Sequence, residues 1–278
     1  MPEGGLLAIY AHPDDETLCS GAMAHYAIRG VPVTMVCATR GEVGEIAPGT
    51  DATPETLGEH RERELREACT ILGVSDVRFL GFRDSGMAGT PENVDPRCLH
   101  QAAPERVVEP LVRVIRELRP AVIATWDASG GYGHPDHIAI HHHATAAYRA
   151  AADRSQYHGL GSAHRAAALY YSVIPLEEFT QIREELVARG IDLGDPTDGD
   201  GPDPLPRVRA NCRIDVSGVY DRKRAALRAH RTQLDESGIF GGLPDDLARR
   251  LFGAEYFHRA DPPLPDGAML DDLLASLA

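Results

Sequence analysis

The chain is predicted to be an α/β protein, a mostly parallel sheet with helices on both faces and a C-terminal α+β extension. Three observations carry this. Apolar runs of strand length alternate with longer stretches of helical periodicity, the pattern of βαβ units. The runs are near-continuously apolar, as strands covered on both faces are. Polar clusters follow the ends of the first four runs, where an open parallel sheet binds its ligands.

Residues 6–12 read as the first strand, and Leu18, Ala22, Met23, Tyr26 and Ala27 recur at helical spacing over 15–29 before the stop at Gly30. Residues 31–39 (VPVTMVCAT) form a second β-branched run, 54–72 a helix opened by Pro54 and closed by Gly73, and 77–82 a third strand. The helix over 104–118 carries Val107, Val108, Leu111, Val112, Ile115 and Leu118 on one face, and Pro120 ends it. A fourth strand follows at 121–127 and a helix at 135–152.

Beyond these come a fifth strand (166–174), a helix (175–189), a Gly-, Asp- and Pro-rich loop (190–206), a strand (208–216) and a helix (217–234). The remainder reads as a short helix near 244–251, a Pro-rich turn at 262–265 and a short amphipathic tail. At 278 residues the expected division is a core over 1–165 and an extension over 166–278 that completes the sheet and pocket, the whole forming one unit.

The apolar fraction of 43% and charged fraction of 25% are those of a soluble globular protein. A net charge of −14 argues against nucleic acid or an anionic membrane as partner. No apolar run approaches the roughly 18 residues of a membrane span, and no signal peptide is visible. Five scattered cysteines without a CxxC pair suggest reduced thiols in a cytoplasmic protein. Whether the chain forms a homo-oligomer is not legible in it.

The loop after the first strand reads Ala11-His12-Pro13-Asp14-Asp15-Glu16, and the loop after the fourth repeats its grammar as Gly133-His134-Pro135-Asp136-His137. Between them lie Arg40, Glu42 and Glu45 after strand two and Arg83, Asp84 and Ser85 after strand three, with Asp127 and Tyr132 in the fourth loop. Four such clusters on one sheet edge favour a composite active site.

His12, Asp15 and His137 supply the two histidines and one carboxylate of a catalytic zinc site. Its neighbour Asp14 is then free to take a proton from the metal's water. His134 can stay unligated and stabilise an oxyanion as imidazolium, with Asp136 orienting it and raising its pKa.

Blander readings exist for each piece. A lone His-Pro-Asp is usually a turn with a helix N-cap. His137 and His141 have i, i+4 spacing, yet His141 to His143 read better as a partly exposed helix turn. Gly130 to Gly133 is no phosphate loop, since no Lys-Ser/Thr follows and no GxGxxG is present. The run His60 to Glu64 reads as a solvated helix face from which one arginine reaches the site. The same two histidines and a carboxylate would also suit a non-heme iron oxygenase, and a non-catalytic sugar-binding protein is a third reading.

Taken together, the strand followed by A-H-P-D-D-E at Ala11–Glu16 and the H-P-D-H at His134–His137 resemble the LmbE-like (PIG-L) family of zinc-dependent de-N-acetylases. The resemblance covers at least residues 5–150, with a weaker echo over Lys223–Gln233. It implies a Rossmann-like fold and hydrolysis of an N-acetyl group, usually on a glucosamine, with Zn2+ or Fe2+ as cofactor. Carried over by position, it implies His12, Asp15 and His137 as metal ligands, Asp14 as base, His134 on the oxyanion side and Asp136 as that histidine's partner.

Within the family, Gly41–Glu45, Arg61 with Glu64, Arg83–Thr90 and Gly131–Gly133 look most like the enzymes of mycothiol metabolism. That likeness implies an amino-sugar substrate whose hydroxyls meet Glu45, Arg61 and Asp84, with Tyr132 assisting at the tetrahedral centre. Two activities share this branch, N-acetylglucosaminyl-inositol deacetylation and cleavage of mycothiol S-conjugates, and the Arg83–Thr90 stretch and Gly133 lean to the former. A deacetylase of a natural-product pathway is a related alternative, because residues 154–206, expected at the outer wall of the pocket, depart from both patterns.

Overall fold

The computed structural model describes residues 4–191, 208–234 and 242–274. Strand β1 (Leu6–Tyr10) is apolar and buried at every position, and so is β4 (Val122–Trp126). β2 (Val33–Thr39) is buried throughout, whereas β3 (Asp76–Phe82) is only half-buried at most positions, as an edge strand is. With β5 (Ala168–Ser172), β6 (Cys212–Asp215) and β7 (Ala254–Asp261), the described residues form one seven-stranded sheet in the order β3-β2-β1-β4-β5-β7-β6. β3, β2, β1, β4 and β5 pair in parallel, and β7 lies antiparallel between β5 and β6. The α/β class is as expected from the sequence; β7 is not, since nothing between the short helix and the Pro-rich turn was read as a strand.

Helices cover both faces. A 3-10 turn (Asp15–Leu18) leads into α1 (Ser20–Ala27), so the predicted first helix is broken near Cys19. α2 (Leu57–Leu72) stops at Gly73, whose left-handed conformation (φ 86) lets Val74 N–H reach back to the Cys69 carbonyl at 2.8 Å. α3 (Pro104–Leu118) buries Val107, Val108, Leu111, Val112 and Ile115 and packs on α5 (Pro135–Ala152), which the single turn α4 (Gly130–Gly133) precedes. Each such side chain contributes about 1.5–3 kcal/mol of burial. Both helices have the predicted bounds.

Two buried charges fix the helices that matter for the site. The Arg116 guanidinium, from α3, donates to the carbonyls of Ala150, Ala151, Asp153, Gln156 and Tyr157 at 2.8–3.2 Å. It thereby satisfies the orphan C-terminal carbonyls of α5. Glu255, on β7, accepts from the Gly21 and Ala22 N–H groups at 2.7 and 2.8 Å and from Lys223 Nζ at 2.6 Å. A carboxylate at the start of α1 complements the helix dipole and ties the extension to the core.

After β5 come α6 (Leu176–Ala188), α7 (Tyr220–Ala229) and α8 (Asp245–Phe252). The predicted strand over 208–216 shortens to β6, and the predicted helix over 217–234 to a 3-10 turn (Ser217–Val219) plus α7. Most of the 190–206 loop lies outside the described residues. Among those described, no helix is long and apolar enough to cross a membrane.

Candidate active site

β1 and β4 are parallel neighbours, and β2 continues the sheet on the far side of β1. The strand order reverses between them, and ligands of open α/β sheets bind in the crevice at such a point. The two His-Pro-Asp loops leave from these two strands. Sequence positions 125 apart thus meet, with His12 Nδ1 3.1 Å from His137 Nε2.

The first loop folds around Asp15, whose Oδ2 accepts from the N–H groups of Ala11 (3.0 Å) and His12 (2.9 Å) and from Trp126 Nε1 (3.0 Å). Its Oδ1 faces His137 Nε2 at 3.2 Å. Burial alone would raise the Asp15 carboxyl, but the His137 and His12 rings and the Trp126 donor hold it well below the ordinary carboxylate range. The indole stacks on the His137 ring, with centroids 4.2 Å apart and planes 12° from parallel.

Tautomers follow from the partners. His137 Nδ1 meets the Gly130 carbonyl at 3.0 Å, so the proton sits there and Nε2 carries the lone pair. His12 Nε2 lies 3.2 Å from Asp136 Oδ2 and 3.4 Å from Asp84 Oδ1, so it donates and Nδ1 is left to face His137. Burial would lower the His12 ring, but Asp84, Asp136 and Asp15 outweigh it and hold its pKa well above the usual histidine value. His137 Nε2 thus lies 3.1 Å from His12 Nδ1 and 3.2 Å from Asp15 Oδ1, and two imidazoles and a carboxylate this close, among buried carboxylates that favour positive charge, fit a divalent cation. His134 brings a ring nitrogen within 4.8 Å of those of His12 and His137.

Around this point lies a cavity of about 460 Å³, lined among others by Asp14, Glu45, Arg61, Asp84, Tyr132 and His134. Asp14 has a left-handed backbone (φ 110, ψ −22), rare for a residue other than glycine. Its Oδ2 accepts from Arg61 Nη2 at 3.0 Å. Burial raises its carboxyl, with Arg61 opposing and Asp15 adding to the rise. Tyr132 is half exposed, its ring edge-on to His137 at 5.1 Å between centroids. Gly130 and Gly131 beside it have positive φ (60 and 72), and a Cβ on Gly131 would lie 2.6 Å from Trp126 Cζ3.

Several expected roles change. Asp136 does not touch His134 through its side chain; its carboxylate accepts from Ser85 N (2.9 Å) and Ser85 Oγ and faces His12. At the start of α5 it is the Asp136 N–H that reaches His134, donating to Nδ1 at 3.1 Å. Burial and the neighbouring His12 and His137 rings push His134 down to about 2. With Nδ1 accepting from that N–H, the ring turns Nε2–H outward as a donor, in place of the expected imidazolium.

Asp84 was expected at a sugar hydroxyl. It is buried, and its carboxylate accepts from Val43 N (3.2 Å) and Gly86 N (2.9 Å). Arg61, expected in the same role, directs Nη1 to the Gly41 carbonyl (2.9 Å) and Nη2 to the Pro13 carbonyl (2.6 Å) as well as to Asp14. Glu45 alone of the three is exposed, at the rim. The His141–His143 turn is partly exposed, as expected, with His142 at the surface and His141 buried, its Nδ1 2.9 Å from the Trp126 carbonyl.

Sequence reasoning did not single out Trp126, Thr232 or Gln233, nor the tie of Ser85 to Asp136. Thr232 and Gln233 line the cavity, Thr232 held by Glu64 (2.9 and 2.6 Å) and Gln233 Nε2 by the Glu45 carbonyl (2.9 Å). Their signal was the Lys223–Gln233 stretch.

The GlcNAc-PI de-N-acetylase (PIG-L) family matches residues 7–148. The chain is 40% identical over 292 residues to the 1D-myo-inositol 2-acetamido-2-deoxy-alpha-D-glucopyranoside deacetylase of Geodermatophilus obscurus, covering 99% of each. Its fold is shared by the N,N'-diacetylchitobiose deacetylase of Pyrococcus horikoshii (19% identity, TM-score 0.61, 92% of this chain and 83% of that one). It is shared as well by the 4-carboxy-2-hydroxymuconate hydratase of Pseudomonas putida KT2440 (20% identity, TM-score 0.63, 95% and 99%). One architecture carrying a hydrolase and a hydratase leaves function to the site residues. By family match and full-length identity, this chain belongs to the PIG-L family of de-N-acetylases.

Proposed function

We propose that the chain is a metal-dependent amide hydrolase that removes the N-acetyl group from an N-acetylglucosamine-type substrate. The observation that carries this is the meeting of His12, Asp15 and His137 beside a cavity that His12, Asp14, Asp15 and His134 line. His12 Nδ1, His137 Nε2 and Asp15 Oδ1 would hold the metal, with zinc the best match to the donors and ferrous iron compatible with them. When bound, zinc in such a site supplies Lewis acidity to a carbonyl oxygen and a lowered pKa to water.

The chain's own residues do the rest. Asp14, raised by burial towards the working range of a general base, takes the proton of the attacking water. His134, neutral and with its Nδ1 tied to the Asp136 N–H, presents Nε2–H to the developing oxyanion. Tyr132, hinged between glycines at the mouth, can add its hydroxyl. Asp14 returns the proton to the leaving amine, giving acetate and a free amino sugar. Asp136 and Ser85 keep the His12 ring oriented, so that its Nδ1 faces the metal.

Glu45, with an exposed carboxylate at the rim, is the best placed of the predicted binding residues to accept a sugar or inositol hydroxyl; Arg61 and Asp84 shape the wall. The names of the similar proteins favour acetamide hydrolysis on an N-acetylglucosaminyl-inositol over cleavage of a thiol conjugate or oxygenation by iron. All five cysteines are buried and free, which supports a reducing, cytoplasmic setting.

The test is acetate release from a panel of N-acetylglucosaminides, with metal analysis of the same preparation. Equal amounts of acetate and free amine are expected. Metal-replete protein that releases no acetate from any member would overturn the reading.

A further inference from the structure

Among the site's non-glycine residues, only Asp14 is held in the left-handed region. Such a backbone is strained and persists only where its surroundings over-determine it. Arg61 grips the segment from one side, through the Pro13 carbonyl and the Asp14 carboxylate. From the other side, Glu16 Oε2 accepts the Asp14 N–H at 3.0 Å.

Glu16 is fully buried, and its second oxygen, Oε1, lies 2.6 Å from His230 Nε2. His230, just beyond α7, is 1% exposed, and among the described residues its Nδ1 has no hydrogen-bond partner. Among the described residues its imidazole therefore has one hydrogen-bond partner, Glu16.

The turn bearing His230 does not depend on the ring. Gln233 and Leu234 donate their N–H groups to the His230 carbonyl at 3.0 and 2.9 Å, Glu64 holds Thr232, and Ala47 N–H reaches the Thr232 carbonyl at 2.8 Å. The segment thus keeps several anchors that do not involve the His230 ring.

We propose that His230 is a positioning residue for Asp14. Through Glu16 it fixes the Asp14 peptide N–H, and with it the direction of the carboxylate. The inference rests on the reading of Asp14 as the base. Without the imidazole, the buried Glu16 carboxylate loses a charge-assisted partner and turns away from the Asp14 N–H. The Asp14 backbone then relaxes and its carboxylate leaves the line of attack. The metal ligands stay, because Asp15 is held by Ala11, His12 and Trp126. The rim contacts to substrate stay as well.

The experiment compares His230→Gln with His230→Asn in the metal-loaded enzyme. A glutamine amide nitrogen reaches the position of Nε2, whereas asparagine reaches only that of Nδ1. His230→Asn is expected to lower kcat about ten- to a hundredfold, the loss of one hydrogen bond to a charged group. KM and metal content should hold, and His230→Gln should restore most of the turnover.

Equal, undiminished kcat in both variants overturns the proposal, as does a loss of kcat matched by loss of metal. Should His230→Asn fail to fold, Glu16→Gln must show the same lowered kcat with metal retained, and wild-type turnover there refutes the role. Asp14→Asn, run alongside, separates the two readings. Turnover retained in it removes the base assignment itself, whereas turnover lost in it but intact in His230→Asn removes only the positioning role.

Discussion

Replacing Trp126 with phenylalanine removes one N–H and leaves an aromatic ring against His137. The indole Nε1 donates to Asp15 Oδ2 at 3.0 Å, in a buried setting, and that oxygen also accepts from two backbone N–H groups. A hydrogen bond to a charged group is worth about 1.5–3 kcal/mol, and outer partners of metal ligands typically contribute about ten- to a hundredfold in affinity. Because two donors remain, the lower end applies, and Trp126→Phe should bind zinc about tenfold more weakly. The smaller ring also leaves space beside Tyr10, which meets the indole edge-on at 6.0 Å, and should cost about 1–3 kcal/mol of stability. Chelator competition measures the first effect and thermal unfolding of the metal-free protein the second. Zinc affinity equal to wild type in a variant of lowered Tm would show that the indole N–H does not hold the ligand.

Asp14→Ala should keep its metal and lose about 10²- to 10⁴-fold in kcat, whereas His12→Ala should lose the metal; equal metal loss in both would refute the division of roles. Burial raises the Asp14 carboxyl and the Arg61 charge opposes that rise. A base works only when ionised, so Arg61→Met should move the acid limb of the kcat/KM profile to higher pH, and a limb that stays or moves down counts against the pairing. Gly131→Ala forces a Cβ to within 2.6 Å of the Trp126 ring at a positive φ. It should destabilise the protein by about 1–3 kcal/mol, read as a fall in Tm.

What could be read from the chain divides along physical lines. α3 and α5 were legible to the residue because capping prolines, periodic apolar faces and clear stops are local signals. β7 was not, because Ala254–Asp261 mixes Glu, His and Arg with aromatics and becomes a strand by pairing with partners on both sides. The same split runs through the site. His12, Asp15 and His137 stand in motifs whose strands dictate their meeting. Which histidine Asp136 serves depends on how its side chain leaves the start of α5, and that is settled only when Ser85 arrives from the β3 loop to bind it. Trp126 read as an apolar strand residue, and its N–H found Asp15 only once β1 and β4 lay side by side.

The interior place of β7 bears on how the protein is made. A ribosome delivers β5 and β6 well before Ala254–Asp261, the strand that lies between them. Until β7 emerges, the nascent sheet has an open rim along β5, and unpaired strand rims invite association with other chains. The closing strand also brings Glu255 to the start of α1, so a stretch synthesised late locks down one made more than 200 residues earlier.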